Sequence, residues 1–179
     1  MFSLVESELL GLKTLRPRVF QDQRGTFVKT FHAGLFESLG LVFAPKEEFF
    51  SISHRNVLRG MHFQLPPADH AKVVYCIVGR VLDVVVDLRQ GSRTFGRCHA
   101  GELSAENRWV LFIPTGFAHG FLSLEDNTTM IYQTSSVHSP AHDVGIRWDS
   151  IGFNWPVQNP IMSDRDQQFP ALADFKPPF

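Results

Sequence analysis

The run Asn56-Val57-Leu58-Arg59-Gly60-Met61-His62-Phe63-Gln64 sets a guanidinium and an imidazole three residues apart in an otherwise apolar, strand-like segment. Such groups are costly to bury without a partner or a task. Imidazole is the side chain that ordinarily titrates nearest neutrality, which suits a general base, and Gln64 adds a further polar group beside it. The chain then supplies matching pieces in Lys72, Tyr132 and Asp166. An ammonium in a dry pocket stabilises the oxyanion formed when a carbon beside a ketone loses its proton. A phenol can return a proton to the opposite face of the enolate, and a carboxylate such as Asp166 can orient His62 and raise its basicity. Base, cation, phenol and carboxylate together form a kit for moving protons next to a carbonyl. Arg24 and Arg59 have the planar fork that grips phosphates bidentately.

Each of these residues also has a plain structural role open to it. A strand histidine often serves only as a hydrogen-bonder, a lysine at a strand start reaches to solvent, and a tyrosine fills a core with its hydroxyl satisfied. Ser163-Asp164-Arg165-Asp166 reads as an acidic turn, and Arg24 as half of a surface ion pair.

The elements that would position these groups are mostly strands. With 179 residues, 44% hydrophobic and 20% charged, the chain suits one globular domain spanning 1–179. A short helix is expected near His32 to Leu39, from the spacing of Leu35, Phe36 and Leu39. The clearest strand pair is Lys72–Val78 and Val81–Leu88, and the intervening Gly79-Arg80 predicts a type II′ hairpin. Further strands are expected at Trp109–Ile113, Gly120–Leu124 and Thr129–Ser135, and an extended tail around Pro177-Pro178. Short strands with almost no helix between them predict an all-β antiparallel jelly roll. Alternation puts Met130 and Thr134 on the face of Tyr132, and Lys72 with Val74 and Cys76. A bulge at Gly60 would bring Arg59 to the side of His62 and Gln64. Seventeen Phe against three Trp and two Tyr predict an interior packed with phenylalanine.

Composition narrows the function classes. A formal charge of -1 gives no footprint for nucleic acid or anionic membrane. No apolar run approaches the roughly 20 residues that span a bilayer, and the N-terminus has no signal-peptide pattern, so a cytoplasmic location is expected. Two cysteines are too few for a disulfide scaffold or a Cys-based zinc site. Pro114-Thr115-Gly116-Phe117-Ala118-His119 is similar to the second half of the cupin signature, whose histidine binds metal. The first half needs two histidines one residue apart and a glutamate, and His62-Phe63-Gln64 offers one imidazole, so no metal is expected.

An ordered series of motifs then resembles the dTDP-4-dehydrorhamnose 3,5-epimerase family. It comprises Asp22-Gln23-Arg24-Gly25-Thr26-Phe27, the Asn56–Gln64 run and Lys72-Val73-Val74. Next come Gly79 to Arg89 with Thr94-Phe95-Gly96, Leu103 to Asn107, Ile113 to Phe121 and Gly145-Ile146-Arg147-Trp148. The resemblance implies a homodimeric double-stranded β-helix without metal or cofactor, acting on nucleotide-diphospho-4-keto-6-deoxy sugars. It implies His62 as base at C3 and C5 with Asp166 as its dyad partner. Tyr132 would be the acid on the opposite face and Lys72 the enolate stabiliser. Arg59 and His119 would line the sugar–phosphate site, and Arg24 would reach into the partner subunit's pocket.

Three departures from the family pattern bear on specificity. Lys29 stands where the family usually has Glu, and Glu47-Glu48-Phe49 replaces Gln-Asp-Asn, positions near the nucleotide base in relatives. The reversed hydrogen-bond pattern directs expectation from thymine toward guanine or cytosine, with Glu47 accepting from the base. Val137-His138 replaces a pair of tyrosines, which opens single-centre epimerisation at C3 or C5. Competing readings are a sugar-nucleotide-binding cupin without catalysis, a 3,4-ketoisomerase of the same fold, and a metal-dependent cupin isomerase or dioxygenase.

Overall fold

The computed structural model describes residues 2–179. Its strands are β1 (Phe2–Glu6), β2 (Lys13–Pro17), β3 (Val19–Asp22), β4 (Gly25–Val28), β5 (Glu47–Ser53), β6 (Leu58–Gln64) and β7 (Lys72–Val78). They continue with β8 (Arg80–Asp87), β9 (Cys98–Ser104), β10 (Val110–Ile113), β11 (Phe117–Ser123), β12 (Thr128–Thr134) and β13 (Asp143–Gly145). Helices are short: α1 (Ala33–Ser38), capped by His32, and α2 (Asp164–Gln167), capped by Ser163. A six-stranded sheet in the order β1-β2-β10-β7-β12-β5 faces a five-stranded sheet in the order β13-β6-β11-β8-β9. Every pairing in them is antiparallel, and together they form the double-stranded β-helix. The β3–β4 hairpin stands apart as a two-stranded ribbon.

The alternation of β12 decides what faces inward. Thr128, Met130, Tyr132 and Thr134 are buried, whereas Thr129, Ile131 and Gln133 are only partly so. Between the sheets lie Val74, Cys76, Val81, Val85, Leu111, Phe121, Met130 and Tyr132. Aliphatic side chains dominate there, alongside Phe117, Phe121 and Tyr132. Most of the phenylalanine packs in the outer layers. Phe31, Phe36, Phe43 and Phe112 meet mainly edge-to-face under α1, and Phe63 meets Phe175 and Phe179 under the C-terminal segment. The phenylalanine packing thus lies mainly in two flanking layers, and Phe27 and Phe50 remain largely exposed. The C-terminal tail is extended but docked, since the backbone N–H of Gln90 donates to Phe179 O at 3.0 Å.

The expected hairpin of β7 and β8 does not form. β7 pairs with β10 and β12, and β8 pairs with β11 and β9, so the chain crosses between sheets at Gly79. Gly79 has φ 72°, and a Cβ there would lie 2.5 Å from Thr128 Oγ1. A hairpin turn and a sheet-to-sheet corner both call for glycine at positive φ. The dipeptide alone therefore does not separate them. β11 also starts earlier than the sequence suggests, which draws His119 into the strand.

Candidate active site

His62 projects from β6 at one end of the space between the sheets. Its Nε2 lies 2.8 Å from Asp166 Oδ1, whose other oxygen accepts the Gly60 N–H at 3.1 Å. Asp166 is buried, and its own N–H donates to the Ser163 cap at 3.1 Å. Burial pulls its carboxyl upward. The bond and charge of His62, the Gly60 N–H and Ser163 outweigh that pull and leave it below the ordinary carboxylate value. With Nε2–H directed at the carboxylate, Nδ1 of His62 is the nitrogen left with a lone pair.

The backbone explains how Arg59 joins this face. His119 pairs with His62 but Phe121 pairs with Arg59, so β6 carries one extra residue at Gly60-Met61. Gly60 has φ 134°, and a Cβ there would sit 2.6 Å from Gly120 Cα. Arg59 then donates through Nε to Ser53 Oγ at 3.1 Å.

Tyr132 comes from the opposite sheet. It is 7% exposed. Its ring stacks on Phe49 at 4.8 Å, and its hydroxyl lies 3.0 Å from Ser51 Oγ. Burial raises the phenol well above its ordinary value, partly offset by Ser51. Lys72 Nζ donates to the carbonyl of His62 at 3.2 Å. Burial pulls its ammonium down to about 8, against the opposing charges of Asp143 and Asp83. His119 is buried with its Nε2 2.8 Å from Asp83 Oδ2. His70 is pulled down to about 3 by burial, with the Lys72 charge adding to the effect, so it stands as a neutral imidazole at neutral pH.

One hollow of about 430 Å³ collects these groups, within the size range of small-molecule sites. Among its lining residues are His62, Lys72, Tyr132, Arg59, Gln64, His119 and Glu47, with Asp166 directly behind His62. The amide of Gln64 is engaged with the surrounding loops, accepting from Ser139 N at 2.6 Å and donating to Ala68 O at 2.7 Å. Glu47 Oε2 accepts the His138 N–H at 2.6 Å, and Glu48 Oε2 accepts from Gln133 Nε2 at 2.6 Å. Arg24 and Lys29 are not brought to the hollow. Both are exposed, and Arg24 pairs with Asp22 at 2.6 Å on the β3–β4 hairpin.

Sequence reasoning missed Asp83, Ser51, Phe49, Asp143 and Arg165 as neighbours of the chemistry. Asp83 had a signal, a carboxylate amid the valines of β8. Asp143 holds His138 and Arg165 at 3.1 and 2.9 Å on the rim. Among the described residues, no group of three or more His, Cys, Asp or Glu is arranged to hold a metal ion.

The chain matches a family model described as dTDP-4-dehydrorhamnose 3,5-epimerase over residues 6–174. It is 42% identical over 170 residues to a dTDP-4-dehydrorhamnose 3,5-epimerase of Shigella flexneri, covering 92% of each chain. A dTDP-4-dehydrorhamnose 3,5-epimerase from Bacillus anthracis, solved with TDP and PPi bound, superposes with a TM-score of 0.94 at 35% identity. That match covers 96% of this chain and 100% of the other. A 3'-monoepimerase from Streptomyces bikiniensis in complex with dTDP-quinovose superposes with a TM-score of 0.87 at 34% identity, covering 93% and 86%.

Proposed function

Because the chain belongs to the dTDP-4-dehydrorhamnose 3,5-epimerase family, we propose that it inverts carbons flanking the 4-keto group of a nucleotide-diphospho-4-keto-6-deoxy sugar. The observation that carries this reading is the placement of His62 and Tyr132 on different sheets around one hollow. The ketone makes protons on C3 and C5 removable, so the reaction needs no redox partner. Nδ1 of His62 takes the proton, with Asp166 fixing the ring and stabilising the imidazolium. Lys72 offers positive charge to the enolate oxygen, and Tyr132 delivers a proton to the other face. Arg59 and His119 hold the sugar and diphosphate.

The names of the relatives favour a thymidine diphosphate sugar. Glu47 and Glu48 are engaged in bonds within the protein, which weakens the case for a base other than thymine. Binding of dTDP, GDP and CDP compared side by side tests this, and a preference for GDP or CDP would reverse it. A homodimer is supported by exposed apolar residues on β5, where Phe50 is 65% and Ile52 56% exposed, and on β7, where Ile77 and Val78 are exposed. It is also supported by the hairpin that carries Arg24 away from its own hollow.

The test of the reaction is incubation with a panel of 4-keto nucleotide sugars in heavy water, read by NMR. Deuterium is expected at C3, C5 or both, with inversion. One labelled centre identifies a monoepimerase, and the absence of label from every sugar would defeat the proposal.

A further inference from the structure

Tyr132 is the group whose proton the proposed reaction consumes, and its ring is almost wholly enclosed. Among the described residues, Ser51 Oγ is the hydrogen-bond partner of its hydroxyl, at 3.0 Å. Ser51 stands on β5, where Met130 is opposite Ser51 and Tyr132 is opposite Phe49. Phe49 and Ser51 therefore share one face of the strand and address the same phenol, one stacking on the ring and the other bonding to the oxygen. β5 ends its sheet. Ser51 is only half-buried and lines the hollow, so its hydroxyl touches the phenol on one side and open space on the other.

We propose that Ser51 is a positioning residue for the proton donor, holding the tyrosinate left after Tyr132 protonates the enolate and relaying a proton back to it. The inference rests on the epimerase reading above. In the step, the Tyr132 O–H bond breaks and a C–H bond forms on the sugar. The phenolate accepts a hydrogen bond from Ser51 Oγ–H and then takes that proton, while Oγ takes a replacement from solvent. On the other face His62 releases to solvent the proton it removed, so the turnover is neutral. Burial opposes the tyrosinate, and Ser51 is the largest influence favouring it, ahead of the Arg59 charge. A charge-assisted bond of this kind is stronger than a neutral one.

The test compares full-length wild type, Ser51→Ala and Ser51→Thr on a 4-keto nucleotide sugar in heavy water. For Ser51→Ala, kcat for inversion is expected to fall about tenfold to a hundredfold. KM should stay within about threefold, because the hydroxyl acts on a step rather than on uniform binding. Deuterium entering with retention should persist, since His62 still abstracts and returns a proton on its own face. Ser51→Thr, which keeps the hydroxyl, should recover most of the rate. Inversion by Ser51→Ala at the wild-type kcat, or equal impairment of the Ala and Thr variants, would overturn the proposal. The two possible failures are distinct. A wild type inert toward every such sugar overturns the epimerase reading, whereas an active wild type with an undiminished Ser51→Ala overturns the relay alone.

Discussion

Lys72 shows how one side chain can carry both a cost and a use. The residue is half-buried and its ammonium donates to a backbone carbonyl rather than to a carboxylate, and burial pulls it down to about 8. The charge is therefore present below about pH 8 and lost above it. On the role proposed above for Lys72 as enolate stabiliser, the rate of C–H exchange should fall as pH rises through this region in a pH–rate profile. Lys72→Met should lose the alkaline limb and slow exchange about a hundredfold. A limb that survives in Lys72→Met would assign it to another group. His62 and Arg59 were legible in the sequence because each interrupts an apolar strand, and Lys72 because it opens one. Ser51 was not, since a serine on an edge strand signals nothing until the phenol across the sheet is known. Asp83 was passed over although a carboxylate among the valines of β8 is itself a signal; its partner, His119, lies at 2.8 Å.

β6 presents Arg59 and His62 to one hollow because of the extra residue at Gly60-Met61. Without that bulge, Arg59 and His62, three residues apart, would point to opposite faces. The glycine is required twice over, by its φ of 134° and by the 2.6 Å approach of Gly120. Gly60→Ala should therefore cost about 2–4 kcal/mol, from overpacking against backbone and positive φ together. Thermal unfolding and the rate of exchange should both report the loss, and an unchanged Tm would mean that the bulge relaxes freely. The sequence hinted at this bulge through a glycine inside an apolar strand. It hid the corner at Gly79, because partner choice in a sheet depends on strands far away in the chain. α2 shows a similar limit. Ser163-Asp164-Arg165-Asp166 looks like an acidic turn, and only long-range packing brings Asp166 to His62.

The whole molecule is two facing sheets with a hollow at one end, flanked by a hairpin that leaves its own site. If Arg24 serves a neighbouring copy, Arg24→Ala and His62→Ala, each impaired alone, should regain activity on mixing, because half of the sites in a mixed dimer are intact. Mixtures that stay inactive while native mass spectrometry shows the mixed dimer would place Arg24 outside the site. The central claim is that an imidazole and a phenol act on opposite faces of one carbon. The most direct measurement is the stereochemical fate of solvent deuterium in His62→Asn and Tyr132→Phe beside wild type. Tyr132→Phe is expected to incorporate label with retention and little inversion, and His62→Asn to incorporate none. Inversion at the wild-type rate in either variant would contradict the assignment of base and acid.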